Sequence, residues 1–217
     1  MNEKIAIFIQ GTDVEKNSNQ FDKIFNELKK RGINTIYFPF NYKLPNNKKD
    51  LEKDSLIYNF KQEIILQIIA LQRQNKKVIL IGHSFGGLIL NSILNEYKFE
   101  NIEKIITIAT FHKLKSKLIQ RIKNLNPFNS KLNKLQTSKQ LLEVRKDLRQ
   151  NLQYKDISSN NLYKNKCYTI GFSLDPIVPA DSTKMLYSKH KTIMAEHGFL
   201  FRKSNNIIND IFDFCEL

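Results

Sequence analysis

One stretch of the chain reads Val78-Ile79-Leu80-Ile81-Gly82-His83-Ser84-Phe85-Gly86-Gly87, an apolar run that breaks into glycines around a serine. The run is short, continuous and rich in β-branched residues, as expected for a parallel strand buried on both faces. The period then changes, because the next positions fit one face of a helix: Leu88, Ile89, Ser92, Ile93 and Tyr97. The six residues between strand and helix must therefore turn sharply.

This turn has the spacing G-x-S-x-G, with Gly82 and Gly86 two residues on either side of Ser84. A side chain at either glycine would clash if the serine took the strained backbone angles that push its hydroxyl out of the turn. The backbone N–H groups at the start of the following helix favour negative charge developing nearby. The pattern predicts that Ser84 is a nucleophile, although an ordinary strand-to-helix connection could carry the same glycines.

Length and composition indicate one domain. The chain has 217 residues, 41% of them hydrophobic, which is enough for a sizeable core. The first residues contain too few consecutive apolar residues for a signal peptide, and no stretch approaches the roughly 18 of a membrane span, so we expect a cytoplasmic protein. Cys167 and Cys215 lie far apart and lack metal-ligand spacing, which predicts neither a disulfide framework nor a metal site.

The net charge of +14 comes from 35 Lys and Arg against 21 Asp and Glu. Such a charge would suit nucleic acid or an anionic surface. Arginine, the residue favoured for bidentate phosphate recognition, is scarce, with 6 copies against 29 lysines. We therefore do not expect a nucleic-acid partner, and the bulk of the lysine excess resembles a compositional bias shared with the 24 asparagines.

Strands and helices are predicted to alternate along the chain. The predicted strands are 4–10, 34–38, 78–81, 104–109, 166–172 and 190–194, and the predicted helices are 19–31, 51–74, one ending at Tyr97, and 207–214. This order predicts an α/β fold, a three-layer α/β/α sandwich with a mostly parallel central sheet. In such sheets the site lies at the carboxyl ends of the strands.

A serine nucleophile needs a base, and four histidines compete for that role. His83 adjoins Ser84 and should point away from it, while His112 begins a basic stretch and His190 begins a strand. His197 follows the last predicted strand and precedes a glycine that eases a tight turn, so we predict it to be the base. A solvated loop histidine is the alternative.

The acid that orients the base should follow a strand end between the serine and the histidine. Asp175 meets this requirement after the 166–172 strand, although Asp-Pro is also a common turn starter. Asp181 and Glu196 are the reserves. The strand end after Ala109 offers no carboxylate.

Acyl transfer also needs N–H donors for the oxyanion of the tetrahedral intermediate. The N–H of Phe85 is one candidate. Gln10-Gly11-Thr12-Asp13 contains the only glycine after an early strand, so the N–H of Thr12 is predicted as the second donor. Asp13 must then point away, because a carboxylate beside a developing oxyanion would oppose it.

Together the Gly11 loop, the Ser84 turn, the Asp175 loop and His197-Gly198 resemble the α/β-hydrolase superfamily, whose chain order is also Ser, Asp, His. The resemblance covers nearly the whole chain outside 111–160 and is strongest to small lipases and esterases. It implies a serine hydrolase that forms an acyl-enzyme and needs no metal or organic cofactor. One departure is Gln10-Gly11, where relatives commonly have His-Gly.

Residues 111–160 hold twelve Lys or Arg against three acids. Two apolar stripes at helical spacing lie within this basic insertion, which we place as a helical lid on the single domain 1–217. The resemblance implies that such a lid covers the acyl pocket. Basic amphipathic helices could also contact an anionic lipid surface.

The leading hypothesis is a carboxylic-ester hydrolase of lipase or esterase type that acts on a small-molecule acyl ester, lipid-like esters included, through Ser84, Asp175 and His197. A thioesterase or acyltransferase could use the same triad. A catalytically silent domain that binds an anionic partner through the basic insertion is the third possibility.

Overall fold

A six-stranded sheet forms the centre of the computed structural model, which describes residues 3–11, 21–40, 56–112, 156–175, 178–195 and 205–216. Its strands are β1 (Lys4–Gln10), β2 (Asn34–Pro39), β3 (Lys77–His83), β4 (Ile102–Ile108), β5 (Cys167–Phe172) and β6 (Lys189–Ile193). Their order across the sheet is β2-β1-β3-β4-β5-β6, and all five pairings are parallel. Every strand therefore ends at the same edge.

Within the described residues, four helices cover the two faces of this sheet: α1 (Asp22–Lys30), α2 (Leu56–Arg73), α3 (Phe85–Glu96) and α4 (Asn205–Cys215). Apolar side chains of α2 and α3 pack on one face, and those of α1 and α4 pack on the other. Alternation along the strands makes this possible. In β1, Ile7 and Ile9 enter the first core and Ala6 and Phe8 enter the second. The predicted three-layer α/β/α fold with a parallel sheet is confirmed.

The described strands begin and end within two residues of the predicted bounds. Pro39 extends β2 past Phe38, because it pairs with Gln10 of β1 at the edge of the sheet, where a missing N–H is tolerated. Gly32 ends α1 as a helix cap should. Its φ is +74°, and the N–H of Ile33 reaches back to the carbonyl oxygen of Leu28 at 3.0 Å.

Helix α3 differs from the prediction of a single buried face. Nine consecutive residues, Gly86 to Leu94, are buried, and Tyr97 lies beyond the helix in extended backbone. The helix is enclosed because β1 and β3 lie beneath it, α2 lies beside it, and the turn that follows β4 packs on its first residues. This enclosure fixes the position of the Ser84 turn from which the helix starts.

Most of the predicted lid lies outside the described residues, which omit 113–155. The structure describes the two ends of this insertion, and both contribute buried side chains. His112 and Ile157 are buried, and Ser158 at the second end accepts a hydrogen bond from the N–H of Tyr187 at 2.9 Å. Within the described part of the chain, no helix is long and apolar enough to cross a membrane.

Candidate active site

Ser84 occupies a strained backbone conformation between β3 and α3. Its φ is 52° and its ψ is −121°, a region that L residues rarely adopt. Such a conformation costs about 1–3 kcal/mol and persists only where the surroundings enforce it. Here the N–H of Ser84 donates to the carbonyl oxygen of Ile108 at 2.8 Å, and its own carbonyl oxygen accepts from the N–H of Gly87 at 3.1 Å. The side chain is half-buried at the carboxyl edge of the sheet.

The glycines around Ser84 are required by close backbone contacts. A Cβ at Gly82 would lie 2.6 Å from Cα of Gly87, so β3 and α3 meet there without side chains. At Gly86 a Cβ would overlap the carbonyl oxygen of Ile9, the last but one residue of β1. The G-x-S-x-G spacing therefore lets a helix start directly against two central strands.

Replacing Gly86 by alanine is expected to destabilise the protein by about 3 kcal/mol, because the methyl group would push α3 away from β1. Gly32→Ala is the matched control. Gly32 has a positive φ, but a Cβ added there would meet nothing within 4 Å, so this variant should lose about 1 kcal/mol from backbone strain alone. The free energy of unfolding in urea measures both. Equal losses would show that the contact with Ile9 is not as close as described.

Two elements lie against Ser84, the first turn of α3 and the loop after β1. Phe85 begins α3, and an N–H at the first turn of a helix has no partner within that helix. A Cβ at Gly11 would lie 3.0 Å from both Cβ of Ser84 and N of Phe85, so the loop after β1 passes directly beside the nucleophile. Gln10, the departure from the family pattern, is buried just before this loop. Thr12, the predicted second donor, lies outside the described residues.

Asp175 lies in the loop after β5, and that loop runs alongside the end of β6. The N–H of Ser173 donates to the carbonyl oxygen of Ile193 at 2.9 Å, and the N–H of Leu174 donates to that of Ala195 at 3.3 Å. Asp175 is 9% exposed, and its carboxylate accepts from the N–H of Val178 at 2.8 Å. Asp181, a reserve for the acid, is exposed on the 3₁₀ turn Ala180–Ser182.

Three of the four histidines occupy structural positions. His83 is buried, with its ring against that of Phe21 at 5.4 Å between centroids. His190 lies within β6, where Nδ1 is 2.7 Å from Oγ1 of Thr169 and burial lowers its pKa. His112 is buried between Asn91 and Thr107, with Nδ1 2.5 Å from Nδ2 of the first and Nε2 2.9 Å from Oγ1 of the second.

The fourth histidine, His197, lies outside the described residues, as does the reserve acid Glu196. The last described residue before them is Ala195, which is hydrogen-bonded to the Asp175 loop.

His112 predicts an acid-sensitive stability. Burial lowers its pKa from 6.5 to about 3, with His190 adding to the decrease and Asp156 opposing it. The unfolded chain then binds a proton at a higher pH than the folded protein does. The contribution of neutral His112 to the free energy of unfolding is therefore fully present above pH 6.5 and is lost as the pH drops toward 3. Between about pH 6.5 and 5 this one group should remove on the order of 2 kcal/mol from the free energy of unfolding.

Denaturant unfolding at several pH values measures this effect, with His112→Gln as the comparison. Glutamine keeps hydrogen-bonding capacity but does not titrate, so its profile should be flatter over the same range. Parallel profiles for the two proteins would contradict the buried, neutral state of His112.

The two cysteines and the acidic groups offer no competing chemistry in the part of the chain that the structure describes. Cys167 and Cys215 are free and buried, and burial raises the pKa of each thiol to about 12. Neither is therefore a thiolate near neutral pH. Over these same ranges, no group of three or more His, Cys, Asp or Glu could hold a metal ion.

Sequence reasoning missed Thr110, which follows β4. Its hydroxyl lies 3.1 Å from the carbonyl oxygen of Ser84, and its side chain fills the space that a Cβ on Gly87 would need. A threonine at a strand end without a carboxylate carries no recognisable motif. The available signal was its place at the carboxyl end of the strand next to β3.

Comparison with known proteins identifies the family. Residues 26–195 match the family model of the PGAP1-like alpha/beta domain, which is 170 of the 217 residues. The match includes Ser84, Phe85 and Asp175 and ends two residues before His197. No curated protein matches the chain at a significant level.

Several solved structures share the fold at low sequence identity. An α/β hydrolase enzyme from the sediment metagenome of the Mar Chica lagoon, Morocco, is 18% identical, with a TM-score of 0.62 over 100% of this chain and 93% of that one. A bromoperoxidase from Bacillus anthracis is 14% identical, with a TM-score of 0.59 over 100% and 93%. A monoglyceride lipase variant from Saccharomyces cerevisiae, solved with a substrate analogue, is 11% identical, with a TM-score of 0.58 over 99% and 85%. These names span different chemistries, so the likeness establishes the fold alone.

Proposed function

The chain belongs to the PGAP1-like alpha/beta domain family, within the α/β-hydrolase superfamily, and from this we propose that it is a serine hydrolase that cleaves carboxylic esters. The backbone of Ser84 carries the proposal. Ser84 is held at φ 52° and ψ −121° between a central strand and the N-terminus of a helix, and the neighbouring glycines make backbone contacts too close for a side chain. A serine in such a turn is how the α/β-hydrolase fold presents its nucleophile.

The proposed reaction uses Ser84 together with the base, the acid and the N–H donors that the sequence predicts. Oγ of Ser84 attacks the ester carbonyl carbon while His197 takes the hydroxyl proton, and Asp175 orients the imidazolium. The N–H groups of Phe85 and Thr12 donate to the oxyanion of the tetrahedral intermediate. The bond from carbon to the leaving oxygen then breaks, and the alcohol departs with the proton held by His197.

A second half-reaction restores the serine. Water enters in place of the alcohol, gives its proton to His197 and attacks the acyl-enzyme carbonyl. Collapse of the second intermediate releases the carboxylic acid and returns the proton to Oγ of Ser84. The titrating groups are all side chains of this chain, so the proposed cycle uses no metal or organic cofactor.

A substrate panel tests the proposed reaction class. The protein is mixed with p-nitrophenyl esters of increasing acyl length, with matched acyl thioesters, and with an ester plus an alcohol acceptor. Turnover of the esters to free acid supports the proposal. Higher kcat/KM for thioesters, or a transferred acyl group, would reassign the chain to the thioesterase or acyltransferase reading.

We also propose that the basic insertion contacts an anionic lipid surface. Twelve basic residues in 111–160, against three acids, combine with apolar helical stripes, and both features favour binding at a charged interface. Co-sedimentation with acidic and neutral liposomes at low and high salt tests this. Salt-sensitive preference for acidic liposomes supports the contact, and equal binding to both would reject it.

A further inference from the structure

Thr110 contacts the nucleophile turn from the neighbouring strand. Ala109, just after β4, has a φ of 49°, in the left-handed region, and Thr110 follows with its side chain against α3. The threonine is 1% exposed. Its hydroxyl oxygen lies 3.1 Å from the carbonyl oxygen of Ser84 and 3.2 Å from that of Ile108, and a hydroxyl proton can be donated to either.

The contact with Ser84 bears on a specific peptide bond. The carbonyl oxygen of Ser84 and the N–H of Phe85 belong to one peptide unit, which is planar and trans. The two groups therefore point in opposite directions. A donor that fixes the carbonyl on one side of this unit fixes the direction of the Phe85 N–H on the other.

The end of β4 thus holds both sides of the nucleophile's backbone. The carbonyl oxygen of Ile108 accepts from the N–H of Ser84 at 2.8 Å, and Thr110 donates to the carbonyl oxygen of Ser84. A hydrogen bond to a carbonyl also polarises the peptide, which strengthens its N–H as a donor by about 10–30%. Gly87 makes the approach possible, since a Cβ there would overlap Oγ1 of Thr110.

We propose that Thr110 is a positioning residue for the oxyanion donor: its hydroxyl orients and polarises the Ser84–Phe85 peptide so that the Phe85 N–H meets the oxyanion. This rests on the proposed function, in which Ser84 is the nucleophile. The hydroxyl of Thr110 should stabilise the transition state and leave substrate affinity unchanged, because the oxyanion forms only as the carbonyl is attacked.

Two substitutions isolate the hydroxyl. Thr110→Ser keeps it and loses a methyl group, whereas Thr110→Ala loses both. We expect Thr110→Ser to stay within about twofold of the parent in kcat. Thr110→Ala should lower kcat by roughly three- to tenfold with KM unchanged, which is less than the loss of a direct donor would cause. The affinity for a trifluoromethyl ketone, whose adduct with serine carries an oxyanion, should fall by the same factor.

Thr107→Ala is the matched control. Thr107 is also 1% exposed and lies in β4, the strand that Thr110 follows, but its hydroxyl is hydrogen-bonded to His112 and not to the Ser84 turn. The Thr107→Ala variant should be less stable than the parent but should keep the parental kcat and the parental affinity for the ketone. If Thr110→Ala proves too unstable to assay, Thr110→Val, which keeps the side-chain volume, takes its place.

Two failures are distinguishable in this experiment. Activity that persists in Ser84→Ala would reject the proposed function and the role of Thr110 with it. Activity that depends on Ser84, together with equal kcat and equal ketone affinity in Thr110→Ser and the hydroxyl-free variant, would reject the role of Thr110 alone.

Discussion

Replacing Ser84 by alanine is expected to lower kcat for ester hydrolysis by about 10⁴-fold or more, because no acyl-enzyme can form without Oγ. Alanine has the same Cβ as serine, so the strain at φ 52° is unchanged and the fold should persist. Hydrolysis of a p-nitrophenyl ester measures the loss, and circular dichroism with thermal unfolding checks the fold.

Ser159→Ala is the control for this variant. Ser159 is exposed on the short 3₁₀ turn Ile157–Ser159, which precedes β5, and its hydroxyl donates to the carbonyl oxygen of Asp156 at 2.7 Å. It should retain parental activity. A Ser84→Ala protein that keeps more than about a tenth of that activity would show that a different residue carries the reaction.

Replacing His197 by alanine is expected to lower kcat by about 10³- to 10⁴-fold, since the serine would lose its general base. The remaining catalysis would come from the oxyanion donors and substrate binding. We do not expect His112 or His190 to replace the missing base, because their ring nitrogens already have hydrogen-bond partners within the fold. The same ester assay, with the fold checked by circular dichroism, measures the effect.

His190→Ala serves as the comparison for His197. Its ring contacts Thr169 on β5 and Thr192 on β6, so its loss should change stability and leave kcat within a few-fold of the parent. An inactive His190 variant beside an active His197 variant would overturn the assignment of the base.

The fold was predictable because its inner strands are buried on both faces. Residues 78–81 of β3 are fully buried, and such segments read as continuous apolar runs whatever packs on them. The order of elements then determines a parallel sheet, and the glycine spacing locates the turn at its edge. Each of these features depends on residues that are close together in the chain, so it can be detected in the sequence.

The parts that escaped prediction depend on contacts between distant segments. The burial of α3 on all sides arises from its neighbours, and periodicity alone indicated a single face. The engagement of His112 with Asn91, on α3, joins residues that the chain separates by 21 positions. Thr110 approaches Ser84 only because β3 and β4 are adjacent in the sheet.

The candidate site also has features that could be predicted from local sequence and features that could not. The sharp turn at Ser84 was predictable from its glycines, and the position of Asp175 after β5 made it the candidate acid. What the sequence did not contain was the reason for each glycine, namely the contacts of Gly82 with Gly87 and of Gly86 with Ile9. The roles of Ser84, Phe85 and Asp175 stay predictions, and so do those of His197 and Thr12, which lie outside the described ranges.

Covalent labelling of the native protein tests directly whether Ser84 is an activated nucleophile. A fluorophosphonate reacts with a serine only where that serine is activated, and the new bond from phosphorus to Oγ displaces fluoride. Intact-mass and peptide mass spectrometry should find one adduct, on Ser84, that is absent from Ser84→Ala and from protein unfolded beforehand. A folded protein that takes no label, or takes it at another serine, would contradict the account and favour a catalytically silent domain.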